Sequence, residues 1–144
     1  MKSKMSNFKD KYGPWALIAG ASEGIGAAFS EALAQKGLNL ILVARRESLL
    51  SELARDLRSR HDIEVVEHAL DLGDMSAVRD LVSRLDREIG LLVYNAAYSP
   101  IGYFKDVPYA DLENIISVNI QTPLFLIKAL TEPMLQRGKG GIIL

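Results

Sequence analysis

Three glycines within seven residues, in Gly20-Ala21-Ser22-Glu23-Gly24-Ile25-Gly26, constrain this chain more than any other stretch. Before them stands a short apolar run, Trp15 to Ala19, and after them a helical run, Ile25 to Lys36. The apolar run has the character of a strand buried on both faces. The chain must then reverse sharply into the helix. Gly20 permits the tight turn because it lacks a Cβ and tolerates positive φ. A glycine at 24 or 26 lets the backbone approach a pyrophosphate and lets the helix pack closely on the strand. The helix start offers free N–H groups and the positive end of its dipole to an anion. Ser22 is the expected N-cap and a candidate hydroxyl donor to a phosphate. Glycine spacing alone also fits an ordinary strand–turn–helix. The motif needs a strand before, a helix after and a second strand about twenty residues on, and all three are present.

Leu38 to Ala44 forms that second strand, entered from Gly37, an expected helix C′ residue. Dinucleotide folds commonly place an Asp or Glu at this strand end to bond the adenosine ribose 2′-OH. Here Ala44 is followed by Arg45 and Arg46, and Glu47 comes later and opens the next helix. A guanidinium can instead hold a 2′-phosphate through charge-assisted, often bidentate bonds. Each is worth roughly 1.5–3 kcal/mol, about ten- to a hundredfold in affinity. The pair therefore favours NADP over NAD, against the alternative of two solvated surface arginines.

The 144 residues suffice for one domain with a real core, residues 1–144 reading as an NAD(P)-binding unit. A net charge of −1 gives no strong pull toward nucleic acid or anionic membrane. The absence of cysteine excludes disulfides and Cys-based metal sites, and no metal site is expected. No apolar run reaches transmembrane length. Lys2, Lys4, Lys9 and Lys11 precede no signal-type core, so a cytoplasmic location is expected. Beyond the second strand, strand and helix keep alternating. The first helix carries Ile25, Ala28, Phe29, Ala32 and Leu33 at helical spacing, the second Leu50, Leu53, Ala54 and Leu57. The third carries Ala77, Val78, Leu81, Val82 and Leu85, with Asp74 as candidate cap. Strand three is expected over Ile63 to Leu70 and strand four over Gly90 to Tyr94. A loop from Ala97 to Val107 precedes a long helix, about Tyr109 to Gln136, and a fifth strand, Ile142 to Leu144. Such alternation implies an α/β fold, a doubly wound parallel sheet of Rossmann type. Right-handed crossovers give strand order 3-2-1-4-5, truncated after the fifth strand.

Several of these stretches converge on one family. Ala19-Gly20-Ala21-Ser22-Glu23-Gly24-Ile25-Gly26 resembles the Thr-Gly-x-x-x-Gly-Ile-Gly of the single-domain short-chain dehydrogenases/reductases. Asp71-Leu72 stands where the family places an Asp on the adenine edge. Tyr94-Asn95-Ala96-Ala97 is similar to its Asn-Asn-Ala-Gly, and Val118-Asn119 to its Val-Asn. Pro133-Met134 and Gly140-Gly141-Ile142-Ile143 match the approach to strand five. The resemblance spans nearly the whole chain. It implies cofactor contacts at Gly20, Ser22, Glu23, Gly24, Ile25, Gly26, Arg45, Arg46, Asp71, Leu72, Asn95, Ala96 and Ala97. Asn119 is implied as a member of a catalytic Asn-Ser-Tyr-Lys tetrad, holding a relay water through a widened turn of its helix.

The resemblance further implies a carbonyl or secondary-alcohol substrate, with NADP as hydride carrier. In the family a Tyr exchanges the proton, a Lys lowers its pKa and a Ser steadies the substrate oxygen. The Ser and the Tyr-x-x-x-Lys lie beyond strand five, and no Tyr-x-x-x-Lys occurs here at a usable position. The chain is therefore expected to be inactive by itself, a fragment of an oxidoreductase. The alternative is a non-catalytic NADP-binding or regulatory half-domain; the glycine spacing speaks against an extended epimerase relative. Tyr94 in place of the family's first Asn is expected to perturb sheet hydrogen bonds, and Ala97 in place of Gly to add a methyl near the nicotinamide ribose. Strand five is expected to leave an open edge. The long helix 109–136, with Ile115, Ile116, Ile120, Leu124, Leu126 and Ile127 on more than one side, is expected to mediate a homo-oligomer. Tyr98, Tyr103 and Phe104 could line a substrate pocket or pack as loop residues. His61 and His68 have no carboxylate or cysteine cluster beside them and are expected at the surface. Glu52, Arg55 and Asp56 form a solvated face. Tyr12-Gly13-Pro14-Trp15 is loosely similar to some steroid and ketoacyl reductases of the family and names no substrate.

Overall fold

Wherever an apolar run is bounded by turn-forming residues, the computed structural model, described for residues 8–144, places a strand. Lys2 and Lys4 lie outside the described residues. The strands are β1 (Trp15–Ala19), β2 (Asn39–Ala44), β3 (Val65–Ala69), β4 (Ile89–Tyr94) and β5 (Gly141–Ile143). They form one sheet, β3-β2-β1-β4-β5, with every adjacent pair parallel. Between them run α2 (Gly24–Gln35), α3 (Glu47–Arg60), α4 (Met75–Ser83), α5 (Tyr109–Ile116) and α6 (Thr122–Arg137). A short α1 (Phe8–Tyr12) precedes the sheet. No periodicity in its sequence is long enough to announce it; Phe8 and Tyr12 pack against the core.

Every residue of β1 and β4 is buried, because helices cover both faces of the sheet. The period-two alternation divides the core into two layers. Ala16, Ile18, Leu40, Leu42, Leu91 and Val93 join Leu33, Leu50 and Leu57 on the face covered by α2 and α3. Trp15, Leu17, Ile41, Val43, Leu92 and Tyr94 join Val78, Leu81, Leu126 and Leu130 on the α4 and α6 face. The β1–β4 register shifts between Trp15 and Ala16, leaving Gly90 as the extra residue. A Cβ on Gly90 would stand 2.5 Å from the carbonyl oxygens of Tyr12 and Gly13.

The first helix differs from its expected stripe. Ile25, Ala28 and Ala32 face solvent, and Gly26, Ser30, Leu33 and Ala34 face the core. The cause is proximity: a Cβ on Gly26 would lie 1.9 Å from the Gly20 carbonyl oxygen. So short a helix-to-strand distance admits only small residues at the crossing, and Ser30 meets its burial need by donating to the Gly26 carbonyl at 2.9 Å. Ser22 is not the N-cap. The helix starts at Gly24, which puts Glu23 in that place, with no side-chain cap bond. Gly37 takes φ +77°, as a C′ glycine should, and its N–H donates to Ala34 at 2.9 Å. Asp74 caps α4 through the N–H groups of Ser76 and Ala77.

The long helix is continuous in direction but not in pitch: a π-helical segment, Ser117–Gln121, separates α5 from α6. Its reason lies in sequence. Pro123 has no N–H to give and crowds the carbonyl four residues back. The Thr122 N–H reaches the Ser117 carbonyl instead, a five-residue span. Strand four begins a residue before its expected start, strand three two residues later, and the expected loop holds a 3-10 turn, Phe104–Asp106.

Candidate functional site

The carboxyl ends of β1, β2 and β4 face one cleft, at the point where the strand order reverses direction. It measures about 230 Å³. From the strand ends come Gly20, Arg45, Arg46 and Asn95; from the β3–α4 connection come Asp71 and Leu72. Ser22, Glu23, Ala96 and Ala97 complete the expected set along its walls. Gly24, Ile25 and Gly26 do not line it; Ile25 is 66% exposed and Gly26 is packed on Gly20.

The glycine loop is held in place by backbone bonds. Gly20 and Ala21 both donate to the Val43 carbonyl, at 2.8 and 3.2 Å. The Asn95 N–H donates to Ala19 at 2.9 Å, and its side chain reaches the Gly20 carbonyl at 3.4 Å. Gly20 has φ +83°, and a Cβ there would lie 2.7 Å from the Ala96 nitrogen. Gly24 has φ +56° and open space around its missing Cβ. Since Glu23 leaves the first N–H groups of α2 without a side-chain cap, they stay available to an anion, in contrast to the capped start of α4. A close-approach loop, an uncapped helix start and flanking arginines fit the diphosphate of a dinucleotide.

In the β3–α4 connection, Asp71 accepts the Gly73 N–H at 2.8 Å through one carboxylate oxygen. Thr122, fully buried, donates to the Leu72 carbonyl at 2.6 Å and ties this connection to α6. Tyr98, Asn114 and Val118 also line the cleft, the last two beside Gly73. The Tyr98 hydroxyl donates to Asp111 at 2.7 Å, and that carboxylate pushes the phenol above its ordinary range. Tyr103 and Phe104 are exposed and line neither this cleft nor its neighbour.

Asn119 stands in the π-helical segment. Its Oδ1 accepts from the Tyr98 N–H at 2.8 Å, and its Nδ2 donates to the Tyr98 carbonyl at 2.9 Å. Both ends of the side chain are thus committed to the backbone after β4. A second, apolar cleft of about 390 Å³ adjoins it, with Tyr94, Ala97, Leu124 and Leu144 among its walls.

The expected perturbation at Tyr94 does not occur. The β1–β4 ladder continues through Ala19 and Tyr94. The hydroxyl turns away from the ladder and donates to the Val118 carbonyl. That carbonyl lacks a helical donor, because Thr122 serves Ser117 and residue 123 is proline. Burial pushes the Tyr94 phenol far up. Sequence reading missed Thr122, Asn114 and the bond from Tyr94 to Val118; only Pro123, close after Asn119, could have flagged the disturbed helix.

The arginines are not alike. Arg46 forms an ion pair with Glu23, whereas among the described residues no carboxylate pairs with Arg45. His61 does have a carboxylate beside it, since α2 and α3 pack side by side: Glu31 lies 3.0 Å from its Nε2. Glu31 also receives Arg60 through both oxygens, at 2.9 and 2.6 Å. Burial lowers the His68 imidazole, on half-buried β3. Among the described residues no three His, Cys, Asp or Glu side chains cluster to hold a metal, and no helix is long and apolar enough to cross a membrane.

Comparison with known proteins gives a consistent picture. The family model described as short chain dehydrogenase matches residues 14–144. A very-long-chain 3-oxoacyl-CoA reductase of Laccaria bicolor is 34% identical, covering 98% of this chain and 43% of its own. A 7beta-hydroxysteroid dehydrogenase of Clostridium sardiniense is 34% identical, with 95% and 53% covered. The human inactive hydroxysteroid dehydrogenase-like protein 1 is 33% identical, with 92% and 42% covered. Among solved structures, a 7beta-hydroxysteroid dehydrogenase superposes with TM-score 0.89 at 31% identity, covering 94% of this chain and 53% of that one. A short-chain dehydrogenase from Sphingobium yanoikuyae in complex with NADPH gives TM-score 0.81 at 35% identity, with 90% and 51% covered. The chain spans about half the length of the curated relatives it matches.

Proposed function

Because this chain belongs to the short-chain dehydrogenase family, we propose that its cleft holds NADP for the interconversion of a carbonyl and a secondary alcohol. The observation that carries the reading is the cleft itself: an uncapped α2 start and a glycine loop meet an arginine without a carboxylate partner. The structural neighbour in complex with NADPH supports the choice of cofactor. In this reading residues 1–144 are the nucleotide-binding portion of the protein.

Bound there, the cofactor supplies the hydride. The residues of this chain bind and orient. The N–H groups of Gly24, Ile25 and Gly26 take the diphosphate, helped by the Ser22 hydroxyl and the dipole of α2. Arg45 takes the 2′-phosphate, and Asp71 and Leu72 take the adenine edge. Asn95, Ala96 and Ala97 set the ribose on the nicotinamide side. The Asn119 side chain is anchored at both ends by the Tyr98 backbone, so its contribution to a proton relay is its backbone carbonyl, in the widened turn that Pro123 and Tyr94 maintain. Turnover requires the Ser and the Tyr-x-x-x-Lys that these residues do not include, and the 144-residue chain binds without turning over. Exposed Ile116, Ile120 and Leu124, along one side of the long helix, support association with a second copy.

The test is calorimetric titration of the chain with NADPH and NADH, followed by a carbonyl-reduction assay. The expected result is NADPH binding at least about tenfold tighter than NADH, from one charge-assisted contact, and no turnover. Absence of binding by either nucleotide overturns the reading. A second reading, a non-catalytic NADP-binding partner subunit, draws support from the similarity to the relative named inactive. Binding without turnover even when the chain is extended to its relatives' full length would favour it.

A further inference from the structure

We propose that Glu23 is a specificity-determining residue of the cleft: its carboxylate holds Arg46 as a counter-ion and so limits the preference for a 2′-phosphate. This rests on the reading of the cleft as an NADP site.

Glu23 occupies the N-cap of α2 with extended backbone, φ −158° and ψ 172°. At the same position of α4, the shorter Asp74 carboxylate serves the helix's first N–H groups. The Glu23 carboxylate does not. It turns to the Arg46 guanidinium, and both residues line the same cleft as Arg45. A carboxylate and a phosphate dianion seek the same face of a guanidinium. A 2′-phosphate entering beside Arg45 must therefore either leave the Glu23–Arg46 pair intact and gain little from Arg46, or displace the carboxylate. In both cases a negative charge stays near the phosphate and opposes it, within a Debye length and only partly screened. The tandem arginines thus act as one reader and one restrained reserve.

The discriminating experiment is a double-mutant cycle on the full chain. It uses two probes that differ only in the phosphate at issue, 2′,5′-ADP and 5′-AMP, titrated calorimetrically at low salt. Glu23→Gln is expected to tighten 2′,5′-ADP by roughly three- to fivefold, as release of an exposed ion pair allows, and to leave 5′-AMP within about twofold. Arg46→Gln is expected to cost less than about threefold in the parent chain and roughly tenfold in the Glu23→Gln background. The gain should shrink at high salt. Both positions are exposed, and matching unfolding midpoints would confirm that each variant folds. An unchanged or smaller ratio of the two affinities in Glu23→Gln overturns the inference, as does an Arg46→Gln cost that is equal in the two backgrounds. Failure of the parent chain to bind either probe overturns the NADP reading and the inference with it. Binding of both with an unmoved ratio overturns the inference alone.

Discussion

Replacing Gly26 by alanine pits two effects of known sign against each other. Helix propensity alone favours the change by about 1 kcal/mol, since alanine is the better helix former. Packing opposes it. The new Cβ would stand 1.9 Å from the Gly20 carbonyl oxygen, 2.9 Å from its carbon and 3.1 Å from Ala21 Cα. All three are backbone atoms, so no flexible side chain can yield. To restore an ordinary contact, α2 must withdraw by roughly 1.5 Å, which pulls it off β1 and alters the glycine loop. Overpacking of this kind costs about 3 kcal/mol at the upper end of its range, leaving a net loss of about 2 kcal/mol. Gly24→Ala makes the control. Nothing lies within 4 Å of its missing Cβ, so only the left-handed backbone at φ +56° resists. That strain is about 1–2 kcal/mol, reduced by a stiffer unfolded chain to a net of about 1 kcal/mol. Urea denaturation followed by circular dichroism measures both. Gly26→Ala is expected to lose roughly twice as much stability as Gly24→Ala, and 2′,5′-ADP binding with it. A Gly26→Ala chain as stable as the parent would refute the packing argument.

Two further outcomes follow from single hydrogen bonds and charges. Tyr94→Phe strands the Val118 carbonyl in a buried site without a helical donor and should cost about 1–2 kcal/mol in urea denaturation; no loss would mean that the helix satisfies that carbonyl itself. Arg60, then Gln35 and His61, hold the Glu31 carboxyl at about 2, down from 4.5. A depressed carboxylate contributes stability that is complete above its unfolded value and drains as pH falls through the folded one. Glu31→Gln should therefore be less stable by about 1 kcal/mol at pH 7, after solvent screening, with a flatter stability profile between pH 4.5 and 2. Parallel profiles for the two chains would show that the cluster adds nothing.

Much of this architecture could be read locally. The first strand was found to the residue because Pro14 and Gly20 bracket five buried apolar positions. Gly37 and Asp74 act where their backbone chemistry requires, and the strand order follows from alternation and handed crossovers. What escaped depends on contacts between distant residues. His61 acquired its carboxylate from Glu31, thirty residues away in the chain. Glu23 met Arg46 only because the ends of β1 and β2 are neighbours. The stripe of α2 was misread because hydrophobic periodicity rewards large side chains, whereas the helix crosses β1 too closely for any at Gly26 or Ser30. Ten of the thirteen expected cofactor contacts line one cleft. The other three, Gly24, Ile25 and Gly26, belong to the helix start, where backbone groups rather than side chains would meet a ligand.

The order of the sheet also sets how this chain must assemble. β1 lies against β4, about seventy-five positions downstream, with Gly20 seated on Ala96. That pairing closes the longest loop in the sheet, a slow event because its entropy is spent before its contacts form. The cleft straddles this seam, with Gly20, Ser22 and Arg45 on one bank and Asn95 to Tyr98 on the other. It exists only after closure, so any ligand of the cleft would recognise only chains that have finished folding. On the proposed reading, a nucleotide bound there would fasten the two halves together and add stability in proportion to the logarithm of its concentration over its dissociation constant. Protease resistance in rising NADPH would then report the late step of folding as directly as it reports binding.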